Sequence, residues 1–124
     1  MKISNKTRKA LLADKVEVAT RFWKKTIGLM FRSGIDDSAG FLMEFEREGF
    51  YGVWMLGMRF AIDLIFMDSE KRIVEAFENI KPVGINPGSW RVYSPGKTAR
   101  WVLELKAGRI RKTKTSTGDR LSFE

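Results

Sequence analysis

Residues 60–67 read FAIDLIFM. In an extended strand Phe60, Ile62, Leu64 and Phe66 point one way, and Ala61, Asp63, Ile65 and Met67 the other. Both sets are apolar except for Asp63, so this strand has to be covered on both sides. That requirement excludes a single sheet with one wet face. It also raises a problem, because a buried carboxyl group costs several kcal/mol unless it is paired or well hydrogen-bonded. Arg59 shares the face of Asp63 by parity, but four strand residues span roughly 13 Å. Contact between them requires Gly57 to bend the chain. A partner from another segment is the better expectation, and Arg32, at the end of GLMFR, is the first choice. Its planar guanidinium matches a carboxylate in two parallel hydrogen bonds.

The remaining segments read as short strands. KALLADKVEVA gives two around Ala13-Asp14-Lys15, the second alternating Val16 and Val18 against Glu17. Thr20 then caps an expected short helix over RFWKKTIGL, residues 21–29. RSGIDDSAG is a loop by composition, FLMEF a strand, REGFYG a turn, and VWM opens the next strand. Gly57 marks an expected bulge. DSEK turns residues 60–67 back onto 72–80 as an antiparallel hairpin. Prolines 82, 87 and 95 leave residues 82–97 irregular, with at most a short strand at SWRVY. ARWVLELKAG is a clear strand, RIRKTKTSTGD holds one helical turn at best, and RLSF closes the chain. The expected fold is a β-rich α+β domain spanning residues 1–124. It is a small antiparallel barrel or sandwich of seven to eight strands with one short helix. Residues 1–8 are read as a flexible basic arm.

The 124 residues suit one domain that buries roughly two-thirds of its unfolded surface. Cysteine and histidine are both absent, which removes disulfides, a thiol nucleophile, the commonest general base and the usual zinc ligands. No cofactor and no metal site are predicted, and any metal would need hard oxygen ligands. Gln is absent and Asn scarce beside abundant Lys, Arg and Glu, a composition that leans toward heat adaptation. No secretory signal and no membrane-spanning run are present, so a cytoplasmic location is expected and no membrane partner.

The net charge is +8, concentrated at Lys2, Lys6, Arg8 and Lys9 and at Lys106, Arg109, Arg111, Lys112 and Lys114. This pattern permits nucleic-acid binding on charge alone, since aromatic interleaving and phosphate-loop motifs are missing. Glu104 is a lone acid inside WVLEL, and if it shares an opening with Asp63 the pair can do acid–base work. Three readings therefore stand. The main one is a non-enzymatic small-ligand or peptide-binding accessory domain. Its cleft is formed by Arg32, Trp54, Met55, Arg59 and Asp63, and it takes an anionic ligand or peptide. The alternatives are a hydrolase or lyase using Asp63 and Glu104, and a basic nucleic-acid binder. Oligomeric state is not legible.

GLMFR (28–32), GFLMEF (40–45), WM (54–55), IDLIFMD (62–68), VLEL (102–105) with Gly108, and GDRL (118–121) occur in that order. Together they resemble the prokaryotic family called domain of unknown function 192. The resemblance implies a compact β-rich fold with a short helix and no established activity. It places Arg32, Trp54, Met55, Asp63, Asp68, Glu104, Gly108 and Asp119 on motif positions. Gly57 stands where many members have Asn, which removes an amide from the supposed cleft.

Overall fold

The computed structural model describes residues 1–20, 29, 32–85 and 87–124. Its strands are β1 (Ile3–Asn5), β2 (Ala10–Ala13), β3 (Lys15–Ala19), β4 (Ala39–Gly49), β5 (Val53–Trp54), β6 (Ile62–Met67), β7 (Ile73–Ile80), β8 (Val92–Tyr93), β9 (Ala99–Lys106) and β10 (Leu121–Phe123). A short helix, α1 (Arg109–Thr113), follows β9 among the described residues, and a 3-10 turn covers Pro87–Ser89. Among the described residues no helix is long and apolar enough to cross a membrane. The strands form three sheets, in the orders β3-β4-β9-β6-β7, β10-β1-β2 and β5-β8.

The five-stranded sheet is the middle layer. Every residue of β6 is buried, as a strand apolar on both faces requires. On one face Ile62, Leu64 and Phe66 join Phe41, Met43 and Val102 beneath Met55, Met58 and Tyr93. On the other, Ile65 and Met67 join Leu42, Leu103 and Leu105 beneath Ile3, Leu12, Ile110 and Leu121. The β5–β8 ribbon and its flanking loops thus cover one side. The three-stranded sheet and α1 cover the other.

The β-rich α+β class and the β6–β7 hairpin agree with the sequence reading, and Asp68 holds that turn by accepting from the Glu70 and Arg72 N–H groups. The details differ. The described residues hold ten strands rather than seven or eight, and they do not close into a barrel. The strand that the sequence reading did not list is β1, three residues long and too short to show a period of two. The arrangement is not wholly antiparallel either, because β3 runs parallel to β4, from Lys15 opposite Ala39 to Ala19 opposite Met43. Residues 1–8 are not a free arm. β1 pairs with both β2 and β10, and Ile3 and Asn5 are fully buried. Lys2 and Lys6 flank a strand whose Ile3 and Asn5 belong to the interior. Gly57 lies in a turn instead of a bulge: its φ is +81°, and Met58 N–H donates to the Met55 carbonyl across it. The helix expected over residues 21–29 lies outside the described residues, apart from buried Leu29.

Candidate functional site

Asp63 is fully buried, and its partner is not Arg32. One oxygen, Oδ1, accepts the Asn79 N–H at 2.8 Å. The other, Oδ2, accepts the Gly108 N–H at 3.1 Å and the Ile110 N–H at 2.8 Å. Both sets of donors arise from irregular backbone. On β6 Ile62 faces Ile80 and Leu64 faces Phe77, so β7 carries one extra residue, a bulge, at this point. Asn79 has a φ of +49° there, which Asn tolerates better than most residues. Its N–H leaves the ladder and turns to Asp63. At α1 the residue in the capping position is Gly108, which has no side chain to satisfy the first helical N–H groups. Asp63 does so from a strand 45 residues away. The carboxyl group is therefore a structural clamp between a bulge and a helix start.

Glu104 is also buried, at 6% exposure, but on the opposite face. Asp63 sits across from Leu105, and Leu64 across from Glu104. Parity sends the two carboxyl groups to different sides of the sheet, so the acid–base pair does not exist. Phe41 and Leu64 flank Glu104 on the neighbouring strands. Burial in this apolar setting pushes its pKa up from 4.5 to about 7, against the opposing pull of the Arg32 charge.

The other expected cleft residues are dispersed. Arg32 is half-exposed and pairs with Glu17 at 2.8 Å, an acid the sequence reading did not single out. Met55 is fully buried core. Trp54 and Arg59 remain at the surface, Trp54 at 47% exposure. Trp54 stands 6.2 Å from Trp90, itself 56% exposed, and opposite exposed Val92 on β8. Trp90 Nε1 donates to the Gly84 carbonyl at 3.0 Å, which holds its ring, and Ile85, next in the chain after Gly84, is exposed. Arg91 lies 4.3 Å over the Tyr93 ring. Trp90 escaped notice because it lies in a proline- and glycine-broken loop with no periodicity.

A further buried acid, Asp119, ties the termini together. Its Oδ2 accepts from Asn5 Nδ2, Arg8 Nε and the Ser116 N–H, each at 3.0 Å. Burial, the largest influence, raises its pKa, but these donors outweigh it and the net shift is downward. The basic stretch after β9 is partly committed. Lys106 pairs with Asp37 at 2.8 Å, and Arg109 donates to the Leu11 and Leu12 carbonyls.

Among known proteins, the family model for domain of unknown function 192, described as Uncharacterized ACR, matches residues 3–123. A UPF0127 protein of Pyrococcus abyssi is 32% identical over 124 residues, covering 98% of this chain and 96% of the relative. One from Thermococcus kodakarensis is 31% identical over 121 residues, covering 98% and 72%. Both relatives come from thermophilic archaea, in keeping with the composition. Among solved structures, a Sinorhizobium meliloti protein described as a candidate transcription regulator superposes with a TM-score of 0.81 at 25% identity, covering 98% of this chain and 89% of that one. A Novosphingobium aromaticivorans protein of unknown function gives 0.82 at 19% identity, covering 98% and 82%.

Proposed function

The chain belongs to the family called domain of unknown function 192, and we propose that this member is a non-enzymatic binding domain that takes an acidic peptide on the surface around Trp54. One observation carries the reading. Every large apolar side chain exposed among the described residues, Met1 aside, falls within residues 49–62 and 79–103. Those two segments contain Arg59, Lys81, Arg91, Lys97 and Arg100 and not one acidic residue. Exposed aromatic rings in segments that carry only basic residues mark an interaction surface, with Arg100 alone of these cations paired to an acid, Glu44, among the described residues. Tryptophan and arginine are also the residues that contribute most per contact in such surfaces. The partner that complements this surface is a peptide with apolar anchors between carboxylates.

The test is tryptophan fluorescence during titration with a peptide alternating Leu or Phe with Glu. Saturable change is expected, weakened about tenfold by Trp54→Ala, the scale of a central aromatic contact. Equal binding of the same peptide with Gln in place of Glu removes the charge argument. Binding to anionic lipid vesicles but not to the peptide replaces the reading with a membrane surface.

A second reading, nucleic-acid binding, is supported by exposed Arg111, Lys112 and Lys114 and by the description of the Sinorhizobium neighbour. It requires affinity for duplex DNA that falls steeply with salt, and salt-independent or absent binding ends it.

A further inference from the structure

Two segments of the chain carry no acidic residue: residues 1–13, with Lys2, Lys6, Arg8 and Lys9, and residues 105–118, with Lys106, Arg109, Arg111, Lys112 and Lys114. The fold lays them side by side. Arg109 reaches from α1 to the Leu11 and Leu12 carbonyls of β2, at 2.8 and 3.0 Å. Beyond the other end of α1, Asn5 Nδ2 donates to Thr115 Oγ1 at 3.0 Å and Arg8 Nη2 to Ser116 Oγ at 2.7 Å. The β1–β2 turn, residues 6–9, therefore brings Lys6 and Lys9 to the same part of the surface as Arg111, Lys112 and Lys114, and all five are exposed. The bordering acids are Asp36 and Asp37 beside Lys106, Asp119 on Arg8 and Glu70 on Arg120. Asp37 also feels the Lys112 charge but bonds Lys106. Lys2, with Asp14 and Glu124, lies at the opposite end of the three-stranded sheet. Among the described residues no acid pairs with any of the five exposed cations. A second observation singles out two of them. Lys9 has a φ of +54° and Lys114 one of +56°, the left-handed region that glycine fills at tight turns and helix ends. A side chain there costs backbone energy. Lys71, also at positive φ, has a packing reason, because its Nζ lies 4.7 Å over the Phe123 ring. Lys9 and Lys114 have no such side-chain contact among the described residues. A strained position held by a free charge points to a use for that charge.

Resting on the nucleic-acid reading, we propose that the β1–β2 turn and α1 together form a face for the phosphate backbone of a duplex, bound without reading its sequence. The make-up of the surface selects that ligand. Five unpaired cations on adjoining segments fit an array of phosphates rather than a single anion. The exposed aromatic rings Phe50, Trp54 and Trp90 lie outside both segments, so nothing here stacks on the bases of a single strand. Apart from Met1, at the opposite end with Lys2, no large apolar side chain is exposed in either segment, which leaves nothing to enter a bilayer. The helix α1 is five residues long, about 7.5 Å, too short to lay base-reading side chains along a groove. Contacts to phosphates alone carry no sequence information.

The experiment is fluorescence anisotropy of the whole chain with two labelled DNA duplexes of unrelated sequence and with the single strand of one, from low to physiological salt. Vesicles of phosphatidylserine and phosphatidylcholine are tested beside them. Both duplexes should bind alike and more tightly than the single strand. The logarithm of the binding constant should fall against that of salt with a slope of roughly −4.5, about 0.9 for each of five phosphates. Lys9→Gly and Lys114→Gly put glycine where the backbone favours it, so the thermal melt should hold or rise. Each should nonetheless reduce the slope by about one and weaken binding several-fold at low salt. Arg47→Gln, which removes an exposed charge from β4, should change neither. Steep salt dependence that both glycine variants leave unchanged keeps the nucleic-acid reading and overturns this face. Absence of duplex binding at low salt ends both. Tighter binding of the single strand, a marked preference between the duplexes, or binding to the vesicles without binding to duplex also overturns the proposal.

Discussion

Asp63 and Glu104 sit on neighbouring strands, one residue out of step, and both are buried. Asp63 receives three backbone N–H donors, and Glu104 receives none among the described residues. The difference lies in what each face of the sheet has beside it. The Asp63 face meets a bulge and a helix start, both of which create N–H groups that ordinary ladders leave unsatisfied. Next to Glu104 the neighbouring strands present Phe41 and Leu64 in regular register, with no bulge or helix start among the described residues there. A buried acid is therefore a clamp where the backbone is broken, and is pushed toward its protonated form where the backbone is regular.

The largest effect that can break this comparison is at Asp63. Asp63→Ala removes the acceptor of three backbone donors, the Ile110 N–H buried and the other two part-buried, and should cost about 3 kcal/mol. Urea unfolding measures it, and a loss below about 1 kcal/mol would remove the clamp. Next comes Glu104, where the sign is opposite. Its pKa is raised on folding, so the stability linked to its protonated form is complete below about pH 4.5 and is lost as pH rises through about 7. Glu104→Gln should remove that loss, stabilising the protein by up to about 3 kcal/mol in mild alkali and by little in acid. Thermal melts across pH would show the wild-type and variant curves diverging, and parallel curves refute the assignment.

Asp119 tests the clamp rule at a second site. Its pKa is lowered on folding, so its contribution is present above the ordinary carboxylate range and disappears as pH falls through the folded value. Asp119→Asn should cost roughly 2 kcal/mol at neutral pH and less in acid, by the same melts. The smallest effect is expected at Gly108. Its φ of +98° strains any side chain, although a Cβ there meets nothing within 4 Å. Gly108→Ala should cost about 1 kcal/mol through the backbone alone, and a much larger loss would mean that the Asp63 contact has been displaced.

Much of the fold and part of the site are legible in the residues themselves. FAIDLIFM has to be a strand covered on both sides, because its period of two leaves no polar face. Asp63 has to be buried and satisfied, and the DSEK segment that Asp68 opens has to turn. The identity of the donors to Asp63 is not legible. They are backbone groups of residues 79, 108 and 110, and a backbone N–H has no signature in the sequence. Arginine is the natural expectation because only side chains advertise charge. Glu17 and Trp90 go unread because one lies at the exposed position of an edge strand and the other in a loop without period.

By itself the sequence determined the alternation of side chains along each strand, and with it which residues enter the core. That pattern is local, set by steric rules acting on successive residues. Register was decided only by the tertiary structure. Leu64, rather than Asp63, stands opposite Glu104, so two acids that the sequence could have placed together face opposite layers. A one-residue step reverses every side chain of a strand, and no local rule counts the residues between strands that meet across the sheet.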